Sequence, residues 1–329
     1  MVLPAWSTRQ PDSRFNNECI SLTQIQTLCP YGHGVFYCLF CGGFLSPDAY
    51  NSLYRVVQQN RRYQVRINAL TIAGTDPSGG AGIQADLKTF SALGVYGTTV
   101  MTALVAQNTC GVNSVHSVPP EFVAAQLDAV LTDVRIDSAK IGMLSDGGVI
   151  RTVAEKLRQY PVPYVVLDTV MLAKSGDPLL KAEAVDLLIS ELLPHVSIIT
   201  PNLPEAAALL KTAVATDEKM MQQQGEALMA AGANAVLLKG GHLDNAESPD
   251  WLFLPEGRHR FTSTRIPTKN SHGTGCTLSA AMAALRPQCA DWAETTEAAK
   301  QYLHGALAAA DSLEVGHGHG PVHHFYQWW

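Results

Sequence analysis

The chain has 329 residues, of which 47% are hydrophobic and 16% charged, enough apolar material for one sizeable core in an α/β domain. Its formal net charge of -6 speaks against a nucleic-acid or anionic-membrane surface, so a phosphate-handling site would need helix N-termini and backbone N–H groups to make it locally electropositive. Seven scattered cysteines, the lack of an apolar run near the roughly 20 residues that cross a bilayer, and the lack of a basic-then-apolar leader imply a reduced, cytoplasmic setting without a disulfide framework.

Residues 1–64 mix Pro, Asn, Gln, Arg and aromatics without a sustained period, and are expected to be an irregular, poorly ordered N-terminal extension. Cys38-Leu-Phe-Cys41 has zinc-like spacing, but no second such pair follows, and Cys29 and His33 add only weak ligands. From Arg66 the pattern turns regular. Apolar runs at Asn68–Ala73, Thr98–Ala106, Ser138–Leu144, Tyr164–Val170, Val196–Thr200 and Ala235–Leu238 predict strands. Between them, Gly80–Leu93, Glu121–Asp133, Val149–Gln159, Leu179–Leu193, Leu203–Leu210 and Glu218–Ala231 predict helices. Nearly continuous apolar strands alternating with helices predict a doubly wound, mostly parallel sheet covered on both faces. Trp251–Leu254 and His259–Ile266 then read as a hairpin around Pro255–Arg258, followed by helices at Gly273–Leu285 and near Trp292–Leu313 and a Gly/His-rich tail.

In open α/β sheets ligands bind beyond the carboxyl ends of the strands, which selects the loops after Ala73, Ala106, Leu144, Val170, Thr200 and Leu238. The strongest candidate is Ser271-His-Gly-Thr-Gly-Cys-Thr277, just before an Ala-rich helix. Gly273 and Gly275 let the backbone turn sharply beside Thr274, and the helix start presents unpaired N–H donors to a transferring phosphoryl group. Cys276 sits at that helix mouth, where the macrodipole is expected to favour the thiolate. Asn202 and Glu205 open another helix; they read either as a cap or as organisers of hydrated Mg2+, with Glu205 the metal ligand.

The stretch Gly74-Thr-Asp-Pro-Ser-Gly-Gly-Ala-Gly82 fits neither dinucleotide nor Walker spacing. It suits close packing around a flat ring, with Ala81 and Gly82 leaving room and Gly74 among the substrate contacts. Asp86, one turn on, either reaches the same cleft or is solvated or capping. Gln107 offers the paired donor and acceptor that an aminopyrimidine edge requires. Met143 and Val170 either sandwich the ring or pack in the core. Lys239 before Gly240-Gly241 offers a point charge for phosphates. Asp168 is placed to assist Mg2+ or phosphate, or alternatively to cap or form a salt bridge.

Together these segments resemble the hydroxymethylpyrimidine and phosphomethylpyrimidine kinases of thiamine biosynthesis. The resemblance runs from Arg66 to Trp329 and includes Asn68–Lys88, Ala103–Thr109, Lys140–Leu144, Leu167–Met171, Thr200–Glu205, Lys239–His242, His272–Cys276 and Gly316–His324. It implies a ribokinase-like kinase domain over 65–329 that commonly dimerises, uses MgATP, and acts first on the free alcohol and then on its monophosphate. By the same resemblance Ala81, Gln107, Met143, Val170 and Cys276 contact the pyrimidine. Asn202, Glu205, Lys239 and the Gly273–Cys276 loop serve the nucleotide and Mg2+. Where sugar kinases of the same superfamily carry an Asp base this chain has Cys276, and its thiolate is expected to take the substrate proton. Residues 1–64 have no counterpart there, and Val65 falls where members typically begin, so the upstream stretch is expected to be an extension or a mis-assigned start. The tail histidines His317, His319, His323 and His324 suggest either a metal site or a closing segment packed on the fold. A pyridoxal or pyridoxine kinase is the nearest alternative, a pyrimidine sensor without turnover the second, and a dinucleotide-binding oxidoreductase the third.

Overall fold

The computed structural model describes residues 66–171, 184–241, 243 and 248–329, with the backbone of residues 36–38 and 43–45. The latter two pieces pair antiparallel, Phe36 opposite Leu45. The remainder of the expected extension, with Cys29, His33 and Cys41, lies outside the described residues, as does the start of the helix predicted at Leu179–Leu193.

Arg66–Trp329 forms its own compact unit. Its strands are β1 (Asn68–Ala73), β2 (Tyr96–Met101), β3 (Ala103–Asn108), β4 (Gly111–Ser117), β5 (Ser138–Ile141), β6 (Val165–Leu167), β7 (Ile198–Ile199), β8 (Val236–Lys239), β9 (Asp250–Leu254) and β10 (Gly257–Phe261). Its helices are α1 (Gly82–Ala92), α2 (Pro120–Leu131), α3 (Gly147–Gln159), α4 (Ala184–Leu187), α5 (Leu203–Leu210), α6 (Glu218–Ala230), α7 (Thr274–Leu285) and α8 (Trp292–Ala308). Eight strands form one sheet in the order β10-β9-β8-β7-β6-β5-β1-β2. The six from β8 to β2 run parallel, and β9 and β10 add an antiparallel edge.

The strands are apolar throughout because alternate residues serve two cores. Leu70, Ile72, Leu167, Ile199 and Leu238 enter the core shared with α2, α3, α5 and α6. Ala69, Val166, Ile198 and Leu237 face the other core, against α1, α7 and α8. The Ala-rich sequence of α7 lets that helix lie close to the sheet, with Ala280, Ala281, Ala283 and Ala284 fully buried.

The run Thr98–Ala106, expected as one strand, is broken at Thr102. Its N–H bonds to Ala73 O at 3.1 Å and its hydroxyl to Met143 O at 2.5 Å. There the chain leaves the main sheet, and β3 pairs with β4 as a separate hairpin. The sequence reading assigns no strand to β4, whose residues are mostly polar and exposed. No helix among the described residues is long and apolar enough to cross a membrane.

His323 and His324 are packed under the closing segment, each 4% exposed. No cluster of three or more His, Cys, Asp or Glu among the described residues is arranged to hold a metal, so the tail histidines form no such site. His324 Nε2 meets Thr277 Oγ1 at 3.1 Å, and Tyr302 OH donates to its carbonyl at 2.7 Å. Burial pushes the His324 imidazole down to about 3. The folded chain therefore refuses a proton that the unfolded chain accepts below its ordinary value, and stability is lost as pH falls from about 6.5 towards 3. Lowering pH from 7 to 5 is expected to cost about 2 kcal/mol through this group. Urea midpoints of His324→Gln at both pH values should show that loss reduced; an undiminished loss would assign it to other groups.

Candidate active site

A cleft of about 1470 Å³ opens at the carboxyl edge of the sheet. It brings together Gly74, Ala81, Gln107, Met143 and Val170 with Asp168, Asn202, Glu205 and Lys239, and Gly273, Thr274, Gly275 and Cys276 line it as well. Gln107 and Cys276 thus border the same space despite the length of chain between them. Asp86 does not line it. That carboxylate is fully buried behind the cleft, where both of its oxygens lie 2.9 Å from Lys140 Nζ and Thr71 Oγ1 donates to it at 2.6 Å. The expectation that Asp86 reaches the ligand is therefore corrected: a carboxylate one turn into α1 points into the protein and is held there by the ammonium from β5.

The loop from β1 to α1 is organised by Asp76. Its carboxylate accepts from Ser78 N at 2.9 Å, Ser78 Oγ at 2.6 Å, Gly80 N at 3.1 Å and Ala81 N at 2.7 Å. His272 Nε2 lies 2.7 Å from the same group. Burial alone would raise the Asp76 carboxyl, but His272 and the Ser78 donor outweigh it and hold the group well below the usual carboxylate range. Gly82 then turns at φ 55, where a Cβ would fall 2.4 Å from Gly74 O. Gly82 therefore serves the loop's own close turn, which corrects the expectation that it leaves room for a ring.

Gly273 begins α7 at φ 77, with no side chain capping the helix. A Cβ there would lie 1.7 Å from Gly80 O, so only glycine lets the two loops approach. The first-turn N–H groups, with no side chain capping them, are donors of the kind that suit an anion. Beside them, Lys239 Nζ sits 3.2 Å from Asp168 Oδ1, and Asp168 is further fixed by Thr200 Oγ1 and Ser279 Oγ, each at 3.3 Å. Burial would lower the Lys239 ammonium, but Asp168 and Glu205 keep it charged and raise it.

Asn202 and Glu205 form a reciprocal capping box: Glu205 N donates to Asn202 Oδ1 and Asn202 N to Glu205 Oε2, both at 2.9 Å. Capping and lining the cleft coexist in these residues. Thr169 Oγ1 also donates to Glu205, at 3.0 Å. Burial pushes the Glu205 carboxyl up, Lys239 draws it back, and the nearby Asp168 charge adds to the rise.

The expected thiolate at Cys276 is overturned. Burial pushes this thiol up to about 11; Lys140 and the Gly82 N–H pull it down, while Asp86 and Asp168 push it further up. Desolvation outweighs the helix mouth, and the resting group is a neutral thiol. Lys140 is itself fully buried. Burial would strip its proton, but Asp86 and, further off, Asp168 hold it charged. The sequence reading leaves without a role both Lys140, which lines the cleft, and Asp76, which organises the loop beside it. The available signal was a lysine inside the apolar run Ser138–Ile141.

The family model described as phosphomethylpyrimidine kinase matches residues 76–323. A hydroxymethylpyrimidine/phosphomethylpyrimidine kinase of Escherichia coli (strain K12) is 67% identical over 264 residues, covering 80% of this chain and 99% of that protein. Among solved structures, the phosphomethylpyrimidine kinase of Clostridium difficile 630 has a TM-score of 0.66 at 40% identity, over 74% of this chain and 100% of that one. An ADP complex of Bacillus subtilis pyridoxal kinase reaches 0.74 at 34% identity, over 80% and 99%. The α/β architecture is ribokinase-like. Since the family model spans most of the chain and the Escherichia coli kinase is matched over nearly its whole length, this chain belongs to the phosphomethylpyrimidine kinase family.

Proposed function

We propose that the protein is an ATP-dependent kinase that phosphorylates 4-amino-5-hydroxymethyl-2-methylpyrimidine and then its monophosphate, yielding the diphosphate for thiamine biosynthesis. The observation that carries this reading is one cleft bordered by Gln107, Cys276, Lys239 and the uncapped start of α7. Its volume accommodates a nucleotide beside a small ring.

In this reading Gln107 orients the pyrimidine through its amide, with Ala81, Met143 and Val170 packed on the ring and Gly74 leaving it room. The α7 N–H groups and Lys239 stabilise charge on the moving phosphoryl group. In a loose transfer the substrate hydroxyl keeps its proton until late. Cys276 then accepts it as a minority thiolate, about one part in ten thousand at pH 7 for a thiol near 11, favoured by Lys140 and the Gly82 N–H.

The carboxylates of Asp168 and Glu205 stand close to one another beside the Lys239 ammonium. That donor set suits a divalent cation that retains several waters and takes few protein ligands. Glu205 is the proposed protein ligand for Mg2+, with Asp168 and Asn202 placed to hold its waters. When bound, Mg2+ neutralises charge across the phosphates. A cytoplasmic homodimer is part of the same reading, supported by the family resemblance.

Mass spectrometry of products from MgATP and the hydroxymethylpyrimidine should show the monophosphate, then the diphosphate. ATP consumption indifferent to the pyrimidine would sink the proposal. The likeness to pyridoxal kinases favours one second reading, and greater kcat/KM on pyridoxine than on the pyrimidine would establish it.

A further inference from the structure

The hairpin β3–β4 carries Gln107, yet its strands pair only with each other. A lone two-stranded piece is marginal in water. Its inner end is tied to the main fold by Thr75 N to Ala103 O at 3.0 Å, Val105 N to Thr75 Oγ1 at 3.0 Å, and Val118 N to Thr102 O at 3.0 Å. Gln107 and the turn after it lie at the far end.

That end is held by residues 209 positions away. Gly318 N donates to Thr109 Oγ1 at 3.1 Å and His319 N to Thr109 O at 2.9 Å. The same strap continues to the loop before α7: Gly320 N donates to Asn270 Oδ1 at 3.1 Å, and His272 N donates to Gly320 O at 3.0 Å. Its glycines are required by contact. A Cβ on Gly316 would lie 2.2 Å from Thr109 Oγ1, one on Gly318 2.0 Å from Thr109 O, and one on Gly320 2.3 Å from Asn270 Oδ1. His272 in turn grips Asp76, which organises the loop beside Gln107 in the cleft. The contacts run unbroken from Thr109, two residues past Gln107, through the strap and His272 to Asp76.

We infer that the Gly316–Gly320 strap is a positioning element for the pyrimidine half of the site, with Thr109 and Gly318 setting where Gln107 stands relative to Cys276 without touching substrate. This rests on the reading of Gln107 as the pyrimidine contact. Gly320 anchors the strap's other end at Asn270 and His272, so loosening it at Thr109 should disturb the ring end while leaving the nucleotide end largely alone.

The test compares Gly318→Ala, Thr109→Val and Thr109→Ser in the full chain. Thr109→Val removes the acceptor at nearly constant volume, and it keeps the question answerable if Gly318→Ala fails to fold. In substrate-free protein, amide hydrogen exchange across Leu104–Val115 should quicken about tenfold in Gly318→Ala and Thr109→Val, as expected for one lost hydrogen bond. Exchange in β1 and β5 should stay unchanged, and Thr109→Ser should behave as wild type. KM for the hydroxymethylpyrimidine should rise about tenfold, with KM for ATP held within about twofold. Unchanged hairpin exchange, faster exchange without a pyrimidine KM effect, or equal rises in both KM values would each overturn the inference. If wild type does not turn over the pyrimidine, the function assigned above fails, while hairpin exchange still decides whether the strap holds the hairpin.

Discussion

Replacing Cys276 by alanine is expected to lower the single-turnover rate of pyrimidine phosphorylation by about 10²–10⁴, the usual worth of a positioned proton acceptor. Because burial pushes this thiol up to about 11, only its minority thiolate can take the substrate proton at neutral pH. The wild-type rate should therefore climb about tenfold per pH unit between pH 6 and 9 without reaching a plateau, since that whole window lies below the thiol's value. The alanine variant should lose this slope. Nearly full turnover in Cys276→Ala, or a flat wild-type profile, would mean that the thiol only packs against the substrate. Single-turnover measurement is chosen because product release can mask the chemical step.

The largest stability effect is expected at Asp86. Its carboxylate and the Lys140 ammonium are both wholly buried, and removing one partner of such a pair typically costs about 3–5 kcal/mol because the other charge is left uncompensated. Asp86→Ala should therefore lose a large share of the stability of an ordinary domain, measured from urea midpoints and slopes. The double variant Asp86→Leu/Lys140→Met should recover most of it, because an apolar pair of similar volume has no charge to desolvate. A loss below about 1 kcal/mol in Asp86→Ala would show that solvent or another group satisfies Lys140. Asp86 also raises the Cys276 thiol while Lys140 lowers it. In Asp86→Asn, alkylation of Cys276 should consequently begin at lower pH than in wild type.

The order of strands and helices was legible in the sequence because apolar periodicity and glycine punctuation are local properties. The run Asn68–Ala73 and the helix Leu203–Leu210 appear with the bounds that their residues predict. The loops at the carboxyl edge were legible for the same reason, and with them Gln107, Lys239 and Gly273–Cys276. Tertiary structure alone decided that Asp86 turns inward to Lys140, 54 residues on, and that His272 grips Asp76 across 196 residues. It alone detached β3 and β4 from the sheet at Thr102. It also reversed the charge state expected of Cys276, since desolvation is set by everything packed around a thiol, whereas a helix mouth is recognisable from a few neighbours in sequence.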